Sequence, residues 1–208
     1  MAPPSISAIV PARPLSMKKF RIGDSDAGIT ATVKAMQDVT FGREGVGSPT
    51  VRAAALDAVR GLQRGMDEIT AVFQWVKTNI EFRGEYAETI QTPVATLTLG
   101  AGDCDDHSTL IAAMLESIGF ETRFQTIATG RDGEFSHVYA EVRLPRSDEW
   151  FAVDTTVRSS YPGWQPRANR RKIRAVNPPA LRGGGIAHDL FWLALGIVAS
   201  NYLLKGKR

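Results

Sequence analysis

The sequence predicts an α+β fold. A cysteine-bearing helix packs on an antiparallel sheet, with an N-terminal arm and an apolar C-terminal helix outside that core. Three observations predict it. Gly102-Asp103-Cys104-Asp105-Asp106-His107-Ser108-Thr109-Leu110 runs from a glycine-bounded loop into a strongly apolar helix continued by Ile111, Ala112, Met114, Leu115 and Ile118. Residues 120–128, 136–144 and 150–155 then read as three successive strands joined by turn sequences. The length, 208 residues, suits one domain of ordinary size plus extensions.

The N-terminal extension spans 1–47. Pro3, Pro4, Pro11 and Pro14 make 1–16 an extended arm. The apolar stretch from Ile6 to Val10 is too short for a signal-peptide core, so export by that route is not expected and a cytoplasmic setting is. Gly28 to Met36 reads as a strand entering a short helix, and Gly42, Gly45 and Gly47 break the pattern.

The core spans 48–164. Ser48-Pro49 reads as an N-cap with proline at the first helical position, opening a helix with Val51, Ala54, Ala55, Leu56, Val59 and Leu62 on its apolar side and an end near Gly65. Asp67 can cap the next helix, whose stripe is Ile69, Val72, Phe73, Val76 and Ile80. Trp75 and Phe82 read as core or near-core packing. Residues 84–93 form a loop leading to the cysteine. After the cysteine helix, Gly119 is placed as a left-handed cap.

Residues 165–185 read as a basic, proline- and glycine-rich link with Arg167, Arg170, Arg171, Lys172, Arg174 and Arg182. Its plain reading is a solvated linker; the sharper one is contact with an anionic surface. No aromatic residue interleaves with these charges, so nucleic acid is not an expected partner. The run 186–204 approaches one bilayer's length, roughly 20 residues, and is read as a helix that packs on a partner protein or enters a membrane. The net charge of +3 argues for no particular partner.

The chemistry centres on Cys104, the one cysteine of the chain, which excludes an internal disulfide. A helix N-terminus favours a thiolate, the nucleophilic form. Asp103, Asp105 and Asp106 suit a helix start but oppose that thiolate, so an imidazolium must outweigh them. His137 supplies one. Residues 136–144 alternate, with His137, Tyr139, Glu141 and Arg143 on one face. If residues 145–146 form the hairpin loop, His137 faces Asp154 directly. If 145–148 do, Asp154 lies opposite Tyr139, one diagonal step from His137. Either register puts imidazole and carboxylate on one face, with Cβ atoms about 5–8 Å apart. That pair is the orienting half of a Cys104–His137–Asp154 triad. A zinc site built from Cys104, His107 and His137 is the chemical rival, but it is a thin ligand set and leaves Asp154 idle. His107 reads as a helix-face residue and His188 as unrelated.

Gly102-Asp103-Cys104-Asp105-Asp106, Ser136-His137-Val138-Tyr139-Ala140-Glu141-Val142 and Trp150-Phe151-Ala152-Val153-Asp154-Thr155-Thr156, in that order, resemble the transglutaminase-like superfamily core over about residues 67–157. The resemblance implies a papain-like arrangement and thiol acyl chemistry on an amide of a protein or peptide: peptidase, amidase or transglutaminase, with hydrolysis favoured. It implies an oxyanion held by the Cys104 N–H and an upstream side chain, for which Tyr86 and Gln91 are candidates. It needs no cofactor, although acidic residues beside the cysteine bind calcium in some members, which points to Asp103 and Asp105. Gly28 to Val33 and Ser48 to Arg52, ahead of Gln91-Thr92-Pro93, resemble transglutaminase-like proteins of tailed phages and prophages. That branch implies a virion-associated setting, and its alternative is a non-catalytic structural or binding component.

Overall fold

The computed structural model describes residues 17–19, 26–63, 65–84, 89–130, 133–168 and 170–175. In chain order the elements are β1 (Met17–Lys19), α1 (Asp26–Thr40), α2 (Pro49–Ala58), α3 (Met66–Asn79), β2 (Glu81–Phe82), β3 (Thr89–Gln91), α4 (Pro93–Leu99), β4 (Ala101–Gly102), α5 (Cys104–Ser117), β5 (Glu121–Ala128), β6 (His137–Arg143), β7 (Trp150–Ala152) and β8 (Arg170–Ala175). The fold is α+β, with an antiparallel four-stranded sheet in the order β7-β6-β5-β8. Two small pairings accompany it, β1 with β3 antiparallel and β2 with β4 parallel.

Helix α5 forms the centre because its sequence is apolar all round rather than on one stripe. Leu110, Ile111, Ala112, Ala113, Met114 and Leu115 have no exposed surface. One side meets the inner face of the sheet at Phe124, Val138, Ala140 and Val142. The others meet Val33, Met36 and Val39 of α1, Val51, Ala54 and Ala55 of α2, and the full α3 stripe of Ile69, Val72, Phe73, Val76 and Ile80. The helix ends where expected. Gly119 has φ +93° and donates to the Glu116 carbonyl, while the Phe120 N–H returns to Leu115, the double bond of a left-handed cap.

The start of α5 is fixed just as tightly. Asp103 is the N-cap, accepting from the N–H groups of Asp105 at 3.0 Å and Asp106 at 3.4 Å. Asp106 answers with a bond from the Asp103 N–H at 3.3 Å, and its other oxygen takes the Gln91 N–H of β3 at 2.8 Å. That fully buried carboxyl lies against Gly102, where an added Cβ would overlap Asp106 Cβ and stand 2.8 Å from Oδ2.

Several expectations are corrected. Gly28 to Met36 is part of one helix, α1, rather than a strand and a short helix. Helix α2 has its Ser48 cap and Pro49 but ends at Ala58, which leaves Leu62 beyond it and 43% exposed. Leu56, inside the helix, lies off the buried side of Val51, Ala54 and Ala55 and is 48% exposed. The cap of α3 is Gly65, whose N–H bonds Glu68, with Asp67 already inside the first turn. Between the expected loop, 84–93, and the cysteine lies a helix that the sequence reading did not assign, α4, capped by the Thr92 hydroxyl on the Ala95 N–H at 3.3 Å. Phe82 is 52% exposed because β2 pairs only with β4 at the surface, whereas Trp75 packs against the core. Arg170–Ala175, read as part of a solvated link, is a strand paired antiparallel with β5. Residues 1–16 and 186–208 lie outside the described residues, and among the described residues no helix is long and apolar enough to cross a membrane.

Gly102→Ala is expected to destabilise the fold by about 1–3 kcal/mol through overpacking against Asp106, measured as a lower urea midpoint. An unchanged midpoint would mean that the first turn of α5 can shift freely.

Candidate active site

Cys104 is the first residue of α5, one place after its cap. The residue is partly buried, and its thiol points to Asp105 Oδ1 at 3.6 Å. The Val138 backbone N–H also hydrogen-bonds the sulfur, so Cys104 lies against the peptide group that joins His137 to Val138. Helix and strand are held there by Ser108, whose hydroxyl is 2.6 Å from the Cys104 carbonyl and 3.2 Å from the Val138 carbonyl.

The hairpin adopts the longer of the two expected loops. Arg143 pairs with Trp150, Val142 with Phe151 and Glu141 with Ala152, leaving 145–148 as the turn, with Arg146 at φ +63°. The Val153 N–H still reaches the Ala140 carbonyl at 2.8 Å, but β7 stops at Ala152 and Asp154 leaves the ladder. From the diagonal position its Oδ2 meets His137 Nε2 at 2.8 Å. Its Oδ1 takes the Thr156 N–H at 3.1 Å and the Thr156 hydroxyl at 2.7 Å, an Asx-type turn closed by the Asp154-Thr155-Thr156 sequence. The Ser160 hydroxyl donates to the Asp154 carbonyl at 2.5 Å, and Lys77 Nζ of α3 in turn donates to the Ser160 carbonyl at 2.6 Å.

The Asp154 side chain is fully buried and the His137 ring is 16% exposed, so the orienting group is dry while the imidazole stays open to a reacting partner. Burial alone would raise the Asp154 carboxyl, but the His137 hydrogen bond and charge, with both Thr156 bonds, outweigh it and hold the carboxyl below its ordinary range. His107 differs from His137. It is buried, with Nδ1 2.8 Å from the Thr155 hydroxyl, and burial lowers its pKa against the smaller effects of the Glu81 backbone and the Asp154 charge. A neutral, enclosed ring of this kind is not placed as a base, in keeping with its reading as a helix-face residue.

Of the other candidates, Gln91 is 2% exposed beneath the start of α5, its Nε2 directed at the Ala101 carbonyl at a long 3.5 Å. Tyr86 lies outside the described residues. Neither histidine of the zinc alternative joins Cys104 in a group of metal-ligand atoms among the described residues. Among the described residues the one cluster of ligand atoms is Asp103, Cys104 and Asp105, within 4.8 Å of one another. Two carboxylates and a thiol fall short of the six to eight oxygens calcium takes, and Asp103 already caps the helix. Thr155, Thr156, Ser160 and Lys77 were not singled out by the sequence reading. Only Thr156 carried a local signal, the Asp-x-Thr turn.

The thiol does not behave as a helix N-terminus alone would make it. Burial first, then the Asp105 and Asp103 carboxylates, push Cys104 well above its ordinary pKa, with the Val138 N–H pulling weakly the other way. A raised pKa leaves little thiolate at neutral pH. Alkylation of Cys104 by iodoacetamide is therefore expected to climb with pH to a midpoint above the free-thiol value of about 8.5. Asp105→Asn removes a like charge and should lower that midpoint. A wild-type midpoint below the free-thiol value would contradict this electrostatic balance.

Residues 52–155 match the family model of the transglutaminase-like superfamily. Among solved structures the chain is similar to a candidate cysteine protease from Cytophaga hutchinsonii, at 18% identity and TM-score 0.45, over 60% of this chain and 46% of that one. It is similar to a candidate protease from Parabacteroides distasonis, at 10% identity and TM-score 0.43, over 65% and 32%. A structure described as a TGase matches at 13% identity and TM-score 0.39, over 70% and 36%. The chain thus spans less than half the length of each of these structures. No curated protein sequence matches it. The family match covers half of the 208 residues and contains Cys104, His137 and Asp154 within its bounds, and by it the chain belongs to the transglutaminase-like superfamily.

Proposed function

We propose that this protein is a thiol acyl-transfer enzyme acting on amide bonds of a protein or peptide, a cysteine peptidase or amidase whose triad is Cys104, His137 and Asp154. The observation that carries the reading is the 2.8 Å bond between His137 and a buried Asp154, with the Cys104 sulfur on the neighbouring peptide. Asp154 occupies Nε2, so Nδ1 is the nitrogen left to take the thiol proton. Because Cys104 favours its protonated form, the proton leaves as the sulfur attacks, by general-base transfer rather than from a standing ion pair. The carbonyl becomes an oxyanion held by the Cys104 N–H, which as the first amide of α5 has no helical carbonyl to bond. Tyr86 or Gln91 supplies the second donor, and Gln91 would give up its long contact to Ala101 to do so. Collapse expels the amine with the His137 proton and leaves a thioester. Water, deprotonated by His137, attacks the thioester and releases the acid and the thiol.

The raised thiol pKa favours one other reading, a transglutaminase-like binding or structural part of a virion or other assembly, with no turnover. A panel of fluorogenic peptide amides separates the two. Hydrolysis is expected in the wild type, none in Cys104→Ala, and kcat/KM in His137→Ala lower by about 10²–10⁴-fold. Turnover retained by Cys104→Ala would reject the triad. No turnover in any member, with Cys104 labelling unaffected by His137→Ala, would select the binding reading.

A further inference from the structure

The nucleophile and its base–acid pair come from three separate elements, and something must hold those elements in register. Cys104 is on α5, His137 opens β6, and Asp154 lies in the loop after β7. Two successive residues of α5 bond the immediate chain neighbours of the other two. The single Ser108 hydroxyl proton is shared between two carbonyls, Cys104 at 2.6 Å and, as the longer arm, Val138 at 3.2 Å, next to His137. His107 Nδ1 pairs with the Thr155 hydroxyl at 2.8 Å, next to Asp154.

Both links are dry. His107 is 1%, Ser108 3% and Thr155 5% exposed, so neither bond competes with water. Burial is the largest effect on the His107 ring, and the Glu81 backbone offsets only part of it. Phe82, half exposed, lies 6.1 Å from the ring and closes the site on the outside.

We propose that His107 and Ser108 are positioning residues that set the distance of Cys104 from the His137–Asp154 pair, His107 through Thr155 and Ser108 through the Val138 carbonyl. They touch no substrate and act through the two residues they hold. The inference rests on the catalytic reading of the triad above.

Iodoacetamide alkylation of Cys104 across pH tests it without a known substrate. It would be run on wild type, Thr155→Val, Thr155→Ser and Ser108→Ala, each with and without His137→Ala, and thermal melts would confirm folding. Thr155→Val replaces the buried hydroxyl with a methyl of the same shape. It is expected to slow the His137-dependent part of alkylation about tenfold or more, since small misplacement of a reacting group is costly. It should also make alkylation insensitive to His137→Ala, and Thr155→Ser should restore both. Ser108→Ala should do the same if Thr155→Val fails to fold. A folded Thr155→Val and Ser108→Ala that alkylate at the wild-type rate, with full His137 dependence, would overturn the positioning role alone. Wild-type alkylation that ignores His137→Ala would instead overturn the catalytic reading, and the positioning role with it.

Discussion

Asp106 is completely buried, and a carboxyl group without water must find donors inside the protein. It finds them in two backbone amides from different elements, Gln91 of β3 and Asp103 at the helix cap. The same side chain fills the space where any residue but glycine at 102 would carry a Cβ. One group therefore fixes the first turn of α5, the strand before α4 and the backbone entering the cysteine. Cys104 stands where it does because these bonds satisfy the polar atoms of that first turn.

The electrostatics around Cys104 follow from the same packing. A helix start gathers acidic caps, and here Asp103 and Asp105 bracket the thiol. Their charges and the burial of the sulfur work against the thiolate that the helix dipole would favour. His137 and Asp154 stand on the opposite balance. Burial penalises the Asp154 carboxylate, yet the imidazole and Thr156 more than offset the penalty. The site thus places a thiol of raised pKa near an oriented, partly exposed imidazole. In the proposed mechanism that places the cost of ionising the sulfur in the attack step, when the substrate carbonyl is already present to take the electron pair.

Legibility differed from element to element for identifiable reasons. The cysteine helix and its Gly119 end were readable because apolar spacing and a left-handed cap are local properties. So was the α3 stripe, every member of which is buried. Helix α4 carried its own signals, Thr92-Pro93 ahead and Gly100 behind, which a loop drawn only to residue 93 passed over. Strand β8 carried none. Four of its six residues are basic, and only the free edge of β5 makes it a strand. Leu56, Leu62 and Phe82 looked like core by composition, but Leu56 lies off the buried side of α2, Leu62 beyond its end, and Phe82 on a strand paired at the surface.

Sequence alone pointed to the members of the candidate site and to the face that His137 and Asp154 share, because the two hairpin registers it offered differ by two residues and so keep the same alternation. A one-residue slip would have separated them. Tertiary structure decided the register itself, with 145–148 as the turn and Asp154 reaching His137 along the diagonal. It also decided the protonation balance of Cys104 and the links of His107 to Thr155 and Ser108 to Val138. The two links span 30 and 48 residues of chain, and the burial of the sulfur depends on the packed fold, so no local pattern encodes them; only the acidic neighbours Asp103 and Asp105 were legible locally.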